Sequence, residues 1–130
     1  MHKEKLKMEK PKLIDKIWGN EEWLANTERY CGKILTLKPG FSCSYHYHKN
    51  KDETFYVLDG KVYLMLEGEE MVLNAGDSQR IMPGQKHKFA SLQGLSRLIE
   101  ISTHHDEEDS YREIESGPID VVVLRKRLGV

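Results

Sequence analysis

The chain has 130 residues, 20 lysines and arginines against 21 aspartates and glutamates, and a formal net charge of −1. That length suits one domain with a core of ordinary size, and the near-neutral charge offers no global field for nucleic acid. No apolar run approaches the ~18 residues needed to span a bilayer, and the start lacks a signal-peptide core, so a cytoplasmic protein without a membrane partner is expected.

In chain order, residues 1–14 read as a flexible basic arm, in which Pro11 blocks a long helix. Residues 15–130 read as one domain. Trp18-Gly19 suggests a large ring packed beside a tight turn. From Tyr30 the pattern turns to short strands. They lie around Cys31–Leu37, Ser42–His48, Glu53–Leu58, Lys61–Glu67, Glu70–Leu73, Gln79–Ile81, His87–Ser91 and Arg97–Thr103, with turn signals at Pro39-Gly40, Asp59-Gly60 and Glu67-Gly68. Seven or eight short strands with turns every eight to twelve residues predict an antiparallel sandwich or barrel. The polar run His104–Arg112 reads as an exposed segment. Ile119–Leu124 returns to strand propensity, and an apolar terminal strand invites pairing with a second copy, hence a homodimer. Cys31 and Cys43 are expected to be reduced. By alternation Cys43 points away from the face of Ser44 and His46, which argues against a catalytic thiol.

The stretch Gly40–Gly60 holds His46 and His48, then Glu53 five positions on. In a strand His46 and His48 share one face, with Tyr45 and Tyr47 on the other. The polar turn Lys49–Asp52 can bring Glu53 back beside them, and His87 is the candidate fourth ligand. Three imidazoles and a carboxylate suit one divalent transition metal, Mn, Fe, Ni, Co or Zn, without choosing among them.

Gly40-x5-His46-x-His48-x4-Glu53-x6-Gly60 resembles the first motif of the cupin family, and Gly76-Asp77 through Pro83-Gly84-x2-His87 resembles the second. Met82 stands where the family usually has proline and Ser91 where it often has asparagine; neither is a ligand position. The fifteen intervening residues match the compact form of the family. The resemblance implies an all-β double-stranded β-helix, or jelly-roll barrel, with core motifs at 40–60 and 76–91. A narrower likeness runs through Trp18-Gly19, Glu28-Arg29-Tyr30, Leu37–Gly40, Leu98–Thr103 and Glu108–Arg112. It is similar to the cupin domain of type II mannose-6-phosphate isomerases and to single-domain cupin sugar isomerases, although Lys16-Ile17 replaces their usual Arg-Pro and His46 a frequent glutamine.

The leading expectation is therefore a metal-dependent aldose–ketose isomerase acting on a small sugar or sugar phosphate. Glu100, an acid within an apolar strand, is the candidate general base; salt bridging to Arg97 or Arg80 is its structural alternative. Alternation around Ile81 suggests that Arg80 faces the pocket, where with Gln79 and Lys86 it would bind an anionic substrate; the alternative is an outward Arg80 paired with a surface acid. His104 and His105 read as surface residues. A metal-dependent dioxygenase and a non-enzymatic sugar-binding module are the competing functions.

Overall fold

The structure, a computed structural model, describes Leu6 and residues 8–130. Its strands in chain order are β1 (Lys12–Lys16), β2 (Gly19–Asn26), β3 (Cys31–Leu37), β4 (Phe41–Ser42), β5 (Tyr45–Tyr47), β6 (Glu53–Asp59), β7 (Lys61–Leu66), β8 (Glu69–Asn74), β9 (Ser78–Ile81), β10 (His87–Ser91), β11 (Ser96–Ser102), β12 (Tyr111–Ile114) and β13 (Gly117–Pro118). A helix, α1 (Val121–Leu128), follows. One sheet runs β1-β2-β3-β11-β6-β9. In the other, β10 is the hub: β4 and β5 pair with it, β7 pairs with it and with β8, β12 extends from β5, and β13 from β4. All these ladders are antiparallel, as expected of the jelly roll. Among the described residues no helix is long and apolar enough to cross a membrane.

Strict alternation in β3, β6 and β11 sends every second side chain inward. Trp18, Leu35, Leu37, Phe55, Val57, Leu64, Phe89 and Leu98 fill the interior, with the Trp18 and Phe55 rings set edge-on against Phe89 at 5.4 and 5.5 Å. Each such side chain contributes roughly 1.5–3 kcal/mol by leaving water. Toward one end the same inward rows turn polar: Lys33 on β3, Glu53 on β6, and Glu100 and Ser102 on β11 are all buried. The interior is thus an apolar core that opens into a polar pocket.

Three expectations change. Strand pairing begins at Lys12 rather than at about Tyr30, because β1 and β2 form a hairpin around Ile17-Trp18; the rest of the expected arm falls partly on residues 1–5 and 7, outside those described. Gly19 closes this turn at φ 148°, where a Cβ would stand 1.8 Å from the Thr36 carbonyl oxygen, so no other residue fits. The segment after Thr103 is not simply exposed: it carries β12 and the buried Asp109. The expected terminal strand Ile119–Leu124 is largely helix. Asp120 caps it by accepting from the Val123 amide at 3.0 Å, and Gly129 ends it in the left-handed conformation. Leu124 packs on Tyr63, Ala90 and Leu92, on the outer face of the second sheet. These contacts override the β-branched preference of Val121–Val123.

Candidate functional site

The pocket has a volume of about 400 Å³, and its floor is made by both sheets. β5 supplies His46, the segment just beyond it His48, and β10 begins with His87, which stands directly across the ladder from His46. Glu53 opens β6 in the facing sheet. The ligand atoms of His46, His48 and His87 all lie within 4.8 Å of one another, so the three could hold a metal ion. Glu53 reaches the same point: its carboxylate oxygens stand 3.4 Å from His48 Nε2 and 3.6 Å from His87 Nε2. These separations are close to the roughly 3 to 3.5 Å that neighbouring ligands of one ion keep when each stands about 2.1 Å from it.

Each imidazole is aimed by a backbone carbonyl. Nδ1–H of His46 donates to Ser44 O at 2.8 Å, that of His48 to Asp109 O at 2.7 Å, and that of His87 to Gln85 O at 2.9 Å. A carbonyl only accepts, so all three rings hold the Nδ1–H tautomer and leave an Nε2 lone pair. Burial, reinforced by the neighbouring imidazoles, lowers His46 to about 3 and His48 and His87 to about 4, which keeps the rings neutral. Glu53 Oε2 and His87 Nε2 are buried without a hydrogen-bond partner. Two such orphans facing one point are rare in a folded protein, and a divalent cation satisfies both. The residues therefore fit a metal ion.

Beside this cluster lies a buried ion pair. Lys51 is 4% exposed and its Nζ stands 2.6 Å from Glu100 Oε2, 3.0 Å from His105 Nδ1 and 3.9 Å from Glu53 Oε2. Burial works to raise Glu100, but the Lys51 and Lys33 cations win and hold it well below the usual carboxylate range. Burial likewise opposes the charge of Lys51, and Glu100 outweighs it. Glu53 moves the other way, raised by burial and by the charge of Glu100. Lys33, 2% exposed, donates to Glu21 at 3.1 Å beneath the Trp23 ring. The loop carrying Lys51 is pinned from beyond β11: the Asp109 carboxylate accepts from the amides of Lys49, Asn50 and Lys51 at 2.8–3.1 Å.

The residues singled out by sequence divide accordingly. His46, His48, Glu53, His87 and Glu100 converge on the pocket. The partner of Glu100 is Lys51, not Arg97, which pairs with Asp59, and not Arg80. Arg80 is 60% exposed and bidentate to Asp52. Ile81 faces the interior that core and pocket share, so the opposite facing is outward to solvent. Gln79 donates to the Arg80 carbonyl, and Lys86 pairs with Glu113 at the surface; neither lines the pocket. Cys43 is corrected too. The strand breaks between β4 and β5, alternation fails there, and the thiol packs in the core at the pocket wall. Burial pushes it up to about 12, so it remains protonated, and both cysteines are free. His104 is exposed as expected, whereas His105 lines the pocket. Lys51, in the loop before β6, was not legible from strand phase. Asp109, His105 and Arg112 carry no local signal either.

Comparison with known proteins agrees with this geometry. The Cupin domain model matches residues 33–96. A D-lyxose ketol-isomerase of Cohnella laeviribosi is 33% identical over 124 residues, covering 72% of this chain and 68% of that one. The chain belongs to the cupin family. A D-lyxose/D-mannose isomerase of Thermosediminibacter oceani is 34% identical over 110 residues, 64% of this cupin and 61% of that protein. The cupin thus spans about three fifths of the length of that relative. Among solved structures, KdgF from a Halomonas species superposes with a TM-score of 0.69 at 21% identity, over 75% of this chain and 89% of that one, which bears on the fold alone.

Proposed function

We propose that this cupin is a metal-dependent aldose–ketose isomerase acting on a small sugar or sugar phosphate. The observation that carries the reading is the set of three neutral imidazoles and Glu53 facing one point, with the charged pair Lys51–Glu100 on the same pocket wall. The isomerase relatives support it. His46, His48, Glu53 and His87 would hold one divalent ion, Mn, Fe, Ni, Co or Zn, which supplies Lewis acidity toward a carbonyl and its adjacent hydroxyl.

The chain's own residues supply the rest. Glu100, which Lys51 keeps ionised, is the base that would accept the proton from the carbon beside the carbonyl, and the same cation limits its basicity. The same carboxylate returns that proton to the former carbonyl carbon while the hydroxyl proton passes to the former carbonyl oxygen, so the step is a net 1,2-shift needing no co-reactant. Ser102, donating to Glu100 at 2.9 Å, fixes the orientation of the base. The pocket, about 400 Å³, has room for a small open-chain sugar, and Trp18, Phe55 and Phe89 form its apolar wall.

The test is turnover of aldoses and their phosphates by stripped and metal-reconstituted protein. We expect interconversion only with metal, and its loss together with bound metal in His48→Ala and His87→Ala. Isomerisation that survives either substitution sinks the mechanism, and oxygen uptake without isomerisation would assign a dioxygenase instead. For assembly we infer a homodimer, supported now by the outer face of the six-stranded sheet, where Leu24, Tyr56, Leu58 and Ile101 are exposed. Light scattering decides that point, a monomer at all concentrations excluding it.

A further inference from the structure

We propose that Arg112 is the anchor for an anionic group, a phosphate or a carboxylate, at the far end of the substrate whose carbonyl end lies at His46, His48, Glu53 and His87. This rests on the isomerase reading above and narrows its substrate class. Arg112 stands directly across the β5–β12 ladder from His46, and residues directly opposite in an antiparallel pair project from the same face. The other face of this ladder is occupied by Tyr47 and Tyr111, stacked at 5.1 Å with Lys49 over the Tyr111 ring. The guanidinium is therefore sent to the pocket side, one strand from a candidate ligand, and Arg112 lines the pocket mouth.

The charges around the pocket leave Arg112 as the cation open to a ligand. Lys33 and Lys16 both face Glu21, at 3.1 and 3.9 Å, and Lys51 is taken by Glu100. Glu107 accepts from His105 Nε2–H at 3.3 Å, that tautomer being set by Lys51 donating to Nδ1. Among the described residues the ion pair of Arg112 is with Glu115 alone, at 3.6 Å, between side chains 52% and 79% exposed. An exposed pair of this kind is worth little and yields readily to a better partner. A planar guanidinium offers two parallel donors to a phosphate or carboxylate, and Ser110 and Ser116 line the same pocket. Arg80 and Lys86, the cations that sequence alone suggested for this task, are turned away and paired elsewhere.

The experiment is calorimetric titration of the metal-loaded full chain with three acyclic acids: D-arabinonate, 5-phospho-D-arabinonate and D-arabinarate. All three present a carboxylate and hydroxyls to the metal end; only the second and third carry an additional anion at the other end. We expect at least one doubly charged probe to bind about tenfold tighter than D-arabinonate, as one charge-assisted bidentate contact would give. Arg112→Ala should abolish that ratio while leaving D-arabinonate affinity and metal content unchanged, and Arg112→Lys should keep part of it. The better probe identifies phosphate or carboxylate. Equal affinity for all three, no binding of either doubly charged acid, or a ratio that survives Arg112→Ala overturns the proposal. Tight, Arg112-dependent binding without any sugar interconversion leaves it standing and overturns the isomerase reading instead.

Discussion

At the scale of single residues, Lys51 is the side chain on which the pocket depends most. It is fully enclosed, and its positive charge is tolerable only because Glu100 stands 2.6 Å away. Lys51→Met should cost about 3–5 kcal/mol in chemical denaturation, since it leaves Glu100 buried and unpaired, and Lys51→Met with Glu100→Leu should recover much of it. A double variant no more stable than the single one would show that the pair is not coupled. That the candidate ligands and Glu100 would converge was legible in sequence because spacing and strand phase are local properties. Arg80 was misread for a physical reason: in a two-sheet fold the pocket is on the core side, so the residue out of phase with buried Ile81 must face solvent. Cys43 was misread because the strand containing it is interrupted, and phase cannot be carried across an irregular step.

At the scale of elements, two segments hold what the strands alone do not. Asp109 binds three successive amides of the 49–51 loop through its carboxylate and His48 through its carbonyl. Asp109→Ala keeps that carbonyl but removes the carboxylate that holds it in place, so it should weaken metal affinity by about tenfold, the lower end of the usual effect of disturbing a group that orients a ligand, with the loop amides losing hydrogen-exchange protection. Unchanged affinity would show that the carbonyl keeps its place beside His48 without the carboxylate. The helix α1 tests a separate claim. Asp120→Ala should cost about 1 kcal/mol as a lost cap, and Leu124→Ala about 2–3 kcal/mol as a cavity against Tyr63 and Leu92. Neither should alter bound metal, which thermal melting and metal analysis on the same samples would check. The helix was illegible to propensity because Val121–Val123 favour strands; the signal lay in the caps, Asp120 before and Gly129 after.

At the scale of the whole molecule, the jelly roll was readable from turn spacing and two short motifs, since those are statements about the chain in order. The pocket wall was not, because it joins β12, the 49–51 loop and β11 from distant parts of the chain. One global property follows from the neutral imidazoles. Their folded pKa values, about 3 to 4, lie below the unfolded 6.5, so the unfolded chain takes up protons first as pH falls. Their contribution is complete above pH 6.5 and is lost as pH drops toward 4. Glu53, whose pKa is raised, opposes this trend, but three groups outweigh one. Metal-stripped protein should thus lose melting temperature steadily between pH 6.5 and 4; a flat profile would mean that the rings take up protons as readily in the folded chain as in the unfolded one. The tether between His48 and Asp109 has a consequence in time as well. The carbonyl that aims this imidazole is 61 residues further along the chain, so a polypeptide still being synthesised possesses the first motif, and then the second, well before it possesses the group that orients one of their ligands. The final geometry of this cluster is therefore reached only after the chain beyond residue 109 has emerged and folded back.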